Sequence, residues 1–333
     1  MKISVIFTGG TIASAEKNGV ISPTEQSGSV LLNRFSSYME KGVSFKAYYP
    51  YTVLSENLSA NYLNSLVGAV LDRVNAGDDK IIICHGSDTL QYSAAAVSFA
   101  LSGINACAVF VCSDKPLENP DTNGFINFET AVEFLLQTDL KGTFAAYKNR
   151  GETPKILHGA RLSSHSEGSD SLYDIFSNSV AVYDGGKIIL NENRDKADSL
   201  KSRQKCLEFK GNIFSQLSGV LAVTAVPGDS FSYDLSGVKA VIMRPYHSGT
   251  LNTDSPYFAE FCKKAHEKNI PVFAVNVRDG ARYESSVMFD ELGIKALPFC
   301  SFPAVYIKAW LAQGDEKDIT DFMMTDTAGE FGE

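Results

Sequence analysis

The feature that most constrains the fold lies at the start of the chain, where the run Ile3-Ser4-Val5-Ile6-Phe7 breaks directly into Thr8-Gly9-Gly10-Thr11-Ile12-Ala13-Ser14. A short apolar-rich run of this kind reads as a buried strand of a parallel sheet, covered on both faces. Two adjacent glycines let the backbone turn sharply and leave no Cβ to obstruct a ligand, so peptide groups and a threonine hydroxyl face one small molecule. Lys80-Ile81-Ile82-Ile83-Cys84 is a second strand of the same type, and it runs into His85-Gly86-Ser87-Asp88-Thr89-Leu90. In doubly wound sheets ligands bind beyond the carboxyl ends of the strands. Two such loops on neighbouring strands therefore bring hydroxyls and a carboxylate to one crevice.

The pattern repeats around these strands. Leu63, Leu66, Val67, Val70, Leu71 and Val74 recur at helical spacing, with Ser59 at the N-cap position. Strands are expected at 81–84, 108–112 and 143–147, alternating with helices near 92–101 and 125–137, the order of βαβ units. Later, 220–223, 240–243 and 272–275 read as parallel strands, with helices near 255–268, 301–312 and 317–323. The fold class is thus α/β: a doubly wound parallel sheet in an N-terminal domain over 1–190, and a smaller α/β domain over 212–333. Apolar density falls and charge rises over 191–211, which reads as the linker. The segment 15–29, rich in Gly, Ser, Glu, Thr and Asn, reads as a loop suited to closing over a substrate.

A chain of 333 residues exceeds a usual single core, and 44% hydrophobic with 21% charged residues describes an ordinary globular protein. A formal net charge of −9 leaves no basic stripe for phosphates, so no nucleic-acid partner is expected. Lys201, Arg203, Lys205 and Lys210 are diluted by Asp198 and Glu208 and belong to a solvated linker. The polar Gly-Gly turn comes too early for a signal peptide, and no run approaches a membrane span, so the chain is expected in the cytoplasm without a membrane partner. Six cysteines show no metal-ligand spacing and read as reduced core residues; no metal is expected.

Together, Thr8-Gly9-Gly10-Thr11-Ile12-Ala13 and His85-Gly86-Ser87-Asp88-Thr89-Leu90 resemble the L-asparaginase family in its cytoplasmic, bacterial type I-like form. Val53-Leu54-Ser55-Glu56-Asn57-Leu58-Ser59, 111–127 and 238–250 extend the resemblance over nearly the whole chain, strongest before residue 130 and patchy between 145 and 215. The resemblance implies hydrolysis of L-asparagine to aspartate and ammonia through an acyl-enzyme, with no cofactor. By it, Thr11 is the nucleophile and Gly10 gives backbone access beside it. Without it, Thr11 would simply cap a turn. Asp88 would bind the α-ammonium or orient Ser87, and Ser87, where the family has threonine, would activate or position water. Ser55 and Glu56 would clamp the amino-acid end, although alone such a pair is a helix-start signal, and Ser113 joins the substrate-binding set. His85 reads as a packed, structural imidazole.

Two departures from the family pattern stand out. Val20 occupies the place where cytoplasmic relatives often carry a tyrosine near the nucleophile, and the family's lysine partner of the Thr-Asp pair aligns with Ser164. Lys155 or His165, or a water held by Ser87 and Ser164, is the expected substitute in proton transfer. The resemblance further implies a homodimer or homotetramer whose sites borrow residues from a partner copy, with Thr250, Tyr283 and Glu284 the contributors. Other readings are hydrolysis of glutamine or another amino-acid amide, a transamidation component, which usually carries an extra tRNA domain for which the chain has no room, and a catalytically weakened amino-acid-binding protein.

Overall fold

The computed structural model describes residues 1–23, 25–163, 168–192, 209, 212–277, 283–313 and 318–331. The chain divides into two units: Met1–Asn212 with Thr327–Gly329, and Ile213–Asp326 with Glu330–Glu333. Most of the segment expected as the linker lies outside the described residues.

In chain order the first unit comprises β1 (Lys2–Phe7), β2 (Ser14–Lys17), β3 (Val20–Pro23), α1 (Glu25–Arg34), β4 (Ser44–Tyr48), α2 (Ala60–Asn75), β5 (Lys80–Cys84) and α3 (Leu90–Leu101). It continues with β6 (Cys107–Val111), α4 (Gly124–Gln137), β7 (Gly142–Tyr147), β8 (Lys155–His158), β9 (Ala181–Asp184) and β10 (Lys187–Leu190). The main sheet runs β10-β9-β8-β7-β6-β5-β1-β4. From β4 to β7 every pair is parallel, and β8, β9 and β10 extend the sheet antiparallel. The chain leaves β1 outward to β4 and returns to β5 on the other side, so the topological switch point lies between β1 and β5. The ligand crevice of a doubly wound sheet belongs at that point.

Burial on both faces explains the apolar runs. Ile3, Val5 and Phe7 of β1 pack with Leu31 of α1 and with Phe128, Val132 and Phe134 of α4 on one face. On the other, Ile6 joins Ile81 and Ile83 of β5, Leu66 and Val70 of α2, and Leu90, Ala94 and Val97 of α3. Helix α3 is buried nearly all round, hence its alanine-rich, non-amphipathic sequence. Ser59 does stand at the N-cap of α2 in extended backbone, but its hydroxyl makes no capping bond.

The stretch expected as a loop over 15–29 is instead a hairpin followed by a helix. β2 and β3 pair antiparallel, Lys17 opposite Val20, across a two-residue turn in which Asn18 and Gly19 have φ of 55° and 76°. Asn-Gly with both residues left-handed is the turn that matches strand twist.

The second unit has the parallel sheet β11-β12-β13-β14, formed by Val220–Thr224, Ala240–Arg244, Val272–Ala274 and Ile294–Ala296. Its helices are α5 (Pro256–Glu267), α6 (Glu284–Val287), α7 (Phe302–Ala312) and α8 (Ile319–Met324). Ser255, Ser301 and Asp318 cap α5, α7 and α8 through their side-chain oxygens. Cys84, Cys107, Cys112, Cys262 and Cys300 are buried free thiols; Cys206 lies outside the described residues. Among the described residues no helix is long and apolar enough to cross a membrane.

Candidate active site

The site is built where three loops meet backbone to backbone. Beyond β1 the chain keeps strand-like pairing: Thr8 N–H donates to Cys84 O at 3.0 Å, Val53 N–H to Thr8 O at 3.1 Å, and Gly10 N–H to Val53 O at 3.1 Å. Gly9 has φ 108°, and a Cβ there would lie 2.1 Å from Val53 O. Gly10 has φ 72°, and a Cβ there would lie 2.2 Å from Gly86 Cα. Gly86 is in turn pressed on Ser55, whose Oγ would be 2.4 Å from an added Cβ. No side chain fits between these loops. The contacts bring Gly10 and Thr11, Ser55, and Ser87 with Asp88 to the ends of β1 and β5, at the switch point.

Thr11 opens a 3-10 turn, Thr11–Ala13, and is half-buried. The turn is anchored at Gly10, whose carbonyl accepts Ala13 N–H at 3.0 Å and Ser14 Oγ–H at 2.7 Å. Thr11 Oγ makes no hydrogen bond among the described residues, and so is free to meet a ligand. Gly10 N–H is committed to Val53 O, so what Gly10 supplies is close access and not an oxyanion donor.

On the second loop Ser87 is half-buried and Asp88 exposed. Gln91 Nε2–H donates to Asp88 O at 3.0 Å, and Thr89 Oγ–H to Ser55 O at 2.9 Å, joining this loop to the 3-10 turn Ser55–Asn57. Ser55 is buried and Glu56 exposed on that turn. Ser113, just beyond β6, is buried with its Oγ unpartnered, and Gly124 packs on it so closely that a Cβ there would approach Ser113 Cβ to 2.9 Å. His85 is 2% exposed; its Nδ1 lies 2.8 Å from Gly86 O and its Nε2 2.9 Å from Ser93 Oγ. A carbonyl only accepts, so Nδ1 carries the proton and Ser93 donates to Nε2. Burial lowers the imidazole pKa to about 4, keeping the ring neutral.

Lys155 starts β8 and its ammonium is held by Glu152 Oε2 at 2.6 Å, while Tyr173 Oη–H donates to Glu152 Oε1 at 2.9 Å. That hydrogen bond from Lys155 holds the Glu152 carboxyl below the ordinary range. Ser164 and His165 lie outside the described residues. Val20 is 61% exposed on the hairpin. Thr250, Tyr283 and Glu284 belong to the second unit, the last two exposed at the start of α6. Sequence reasoning did not single out Thr89, Gln91 or Ser93. Their signal was a polar first turn on an otherwise apolar helix.

The family profile described as "Asparaginase, N-terminal" matches residues 2–196. The chain belongs to the asparaginase family. All three interlocking loops fall within the matched residues. Several curated relatives carry the name of a component of glutamyl-tRNA(Gln) amidotransferase. That of Methanococcus maripaludis is 23% identical over 344 residues, covering 99% of this chain and 81% of the relative. That of Methanosphaera stadtmanae is 26% identical over 220 residues, covering 65% and 49%. The chain spans about half the length of several of the curated relatives it matches. Among solved structures, the thermostable L-asparaginase from Thermococcus kodakarensis superposes over 100% of both chains with a TM-score of 0.78 at 20% identity. L-asparaginase I from Vibrio cholerae covers 99% of both with a TM-score of 0.78 at 16% identity. These superpositions show the family fold.

The glycine contacts separate two kinds of substitution. Gly19→Ala meets nothing within 4 Å and suffers only its left-handed φ, an expected loss of about 1 kcal/mol. Gly10→Ala adds a clash with immovable backbone and is expected to lose about 3 kcal/mol or more by urea unfolding; equal losses at the two positions would refute the interlock. For His85, the unfolded chain takes up a proton near pH 6.5 and the folded chain only near 4, so stability is full above that window and falls as pH drops through it. Between pH 7 and 4 the parent is expected to lose about 3 kcal/mol more than His85→Gln, measured by unfolding at each pH.

Proposed function

We propose that the chain is an L-asparagine amidohydrolase that works through an ester on Thr11. The observation that supports it most is the interlock of Gly9-Gly10, Val53–Ser55 and His85-Gly86, which seats the glycine before Thr11 on the glycine before the Ser87-Asp88 pair, and that glycine on Ser55. Thr11 Oγ attacks the side-chain amide carbon, and the collapse of the adduct breaks the C–N bond, releasing ammonia that carries away the threonine proton. Water, positioned by Ser87, then adds to the ester carbon; its oxygen stays on the carbonyl carbon, aspartate leaves, and a proton of that water restores the Thr11 hydroxyl. Asp88 and Glu56, both exposed carboxylates, hold the α-ammonium, and the buried hydroxyls of Ser55 and Ser113 receive the substrate's polar end.

Proton transfer falls to Lys155 or His165, or to a water held by Ser87 and Ser164. The Lys155 ammonium is already held by Glu152, so it would have to leave that carboxylate to serve. A second reading, glutamine as the amide hydrolysed, is favoured by the amidotransferase components among the relatives. The two substrates differ by one methylene, which a pocket discriminates only modestly.

Ammonia release over a panel of L- and D-asparagine, L- and D-glutamine is the deciding assay. L-asparagine is expected to be the best substrate, and Thr11→Ala to lower its turnover at least about a thousandfold with the fold intact. Preference for glutamine selects the second reading; binding of asparagine with no release from any amide selects a binding protein.

We also propose a homo-oligomer in which Thr250, Tyr283 and Glu284 of one copy complete the site of another. Tyr283 is 57% exposed and Glu284 exposed beside it, a polar pair whose side chains make no hydrogen bond or ion pair among the described residues. Closed two-fold symmetry is the expected form. Light scattering at assay concentration should find a dimer or tetramer, and a fully active monomer would refute the arrangement.

A further inference from the structure

Behind the site lies a chain of two hydrogen bonds that the proposed chemistry does not use. Ser93 Oγ–H donates to His85 Nε2 at 2.9 Å and His85 Nδ1–H donates to Gly86 O at 2.8 Å, with His85 2% exposed and Ser93 fully buried. The imidazole edge rests on the Phe110 ring, centroids 5.8 Å apart, so the ring is held by packing as well as by both nitrogens. Ser93 is diverted to this task. Ser98, on the same helix, returns its hydroxyl to Ala94 O at 2.7 Å, and Thr130 on α4 to Ile126 O at 2.7 Å, the usual habit of buried helical hydroxyls.

The acceptor is what gives the arrangement meaning. Gly86 C=O belongs to the peptide plane that leads into Ser87, and glycine by itself leaves that plane free to turn. The same residue is the one packed against Gly10 and Ser55. Fixing its carbonyl therefore fixes both the direction in which Ser87 departs and the surface against which the Gly10-Thr11 turn is seated.

We infer that His85, oriented by Ser93, is a positioning residue: by holding the Gly86 carbonyl it sets the placement of Ser87 relative to Thr11. The inference rests on the reading of Thr11 and Ser87 as the reacting hydroxyls. Misplacement of reacting groups by about 1 Å costs on the order of a hundredfold in rate.

The test compares His85→Asn with His85→Gln. The Asn amide places its N–H donor near the position of Nδ1, whereas the Gln amide reaches the position of Nε2 and leaves Gly86 O unserved. In the amide assay His85→Asn is expected to keep kcat within about fivefold of the parent. His85→Gln should lose about a hundredfold in kcat with KM changed less than about threefold. Both variants remove the same ring, so a role in packing alone lowers them together. Equal kcat values, or a more active Gln variant, would overturn the inference. A readout independent of turnover is the 15N spectrum of labelled histidine near pH 7, with the His85 signals identified by their loss in His85→Asn. Protonated Nδ1 with unprotonated Nε2 is expected, and an Nε2–H tautomer would overturn the inference whatever the activity. A parent that hydrolyses no amide refutes the proposed function instead, and leaves the spectrum to decide the hydrogen bond.

Discussion

The rest of the site depends on backbone touching backbone. Gly9 lies on the Val53 backbone and Gly10 on the Gly86 backbone, while Gly86 receives the Ser55 side chain, so three loops from β1, β4 and β5 share one small volume. A side chain at any of these positions would separate them by the width of a methyl group or more. The parallel pairing of β1 with its neighbours sets the coarse spacing, and the hydrogen bonds of Thr8, Gly10 and Val53 carry that pairing past the strand ends. Catalytic precision needs side chains held to a fraction of an ångström, and contact between main chains gives that without relying on rotamers. Thr11 and Ser87 each follow directly on a glycine that the contact fixes, and Ser55 packs its side chain on the second of these glycines.

Polarity is arranged on the same plan. The interior immediately behind the loops is apolar, with Cys84 and Cys112 buried and their thiols pushed up by burial. The polar groups admitted there answer backbone carbonyls: His85 serves Gly86, Gln91 serves Asp88 and Thr89 serves Ser55. Buried carbonyls left without partners cost free energy, so the polar first turn of α3 satisfies the loop as it aligns it. The charged groups, Asp88 and Glu56, stay exposed at the solvent side.

What was legible in the sequence follows from burial. β1 and β5 are apolar on both faces because helices cover both, so Ile3–Phe7 and Ile81–Cys84 announce themselves. The glycine-hydroxyl loops at their ends were legible as motifs, and with them the family. β4 was not: Ser44–Tyr48 is a half-buried edge strand whose burial barely alternates. The hairpin of β2 and β3 was hidden because Val20 and Ile21 are exposed, so no core pattern flanks the Asn18-Gly19 turn that specifies it. β14 and α6, three and four residues long, are too short for a period to show. The contact of Gly10 with Gly86 is remote in sequence and has no periodic signature; only the folded sheet brings them together. The role of Thr89 was missed for the same reason, since it acts on Ser55 of another loop, while Gln91 and Ser93 act on Asp88 and His85 of the preceding loop, a pairing that no sequence period marks.

A nucleophilic Thr11 presented by this interlock would carry the acyl group of the substrate during turnover. The most direct measurement is an acid quench during turnover of whichever radiolabelled amide the panel selects, followed by peptide mapping of the protein-bound label. The account predicts an acyl ester on the peptide carrying Thr11, absent from Thr11→Ala. Label on the peptide of Ser55 or of Ser87 instead would contradict it.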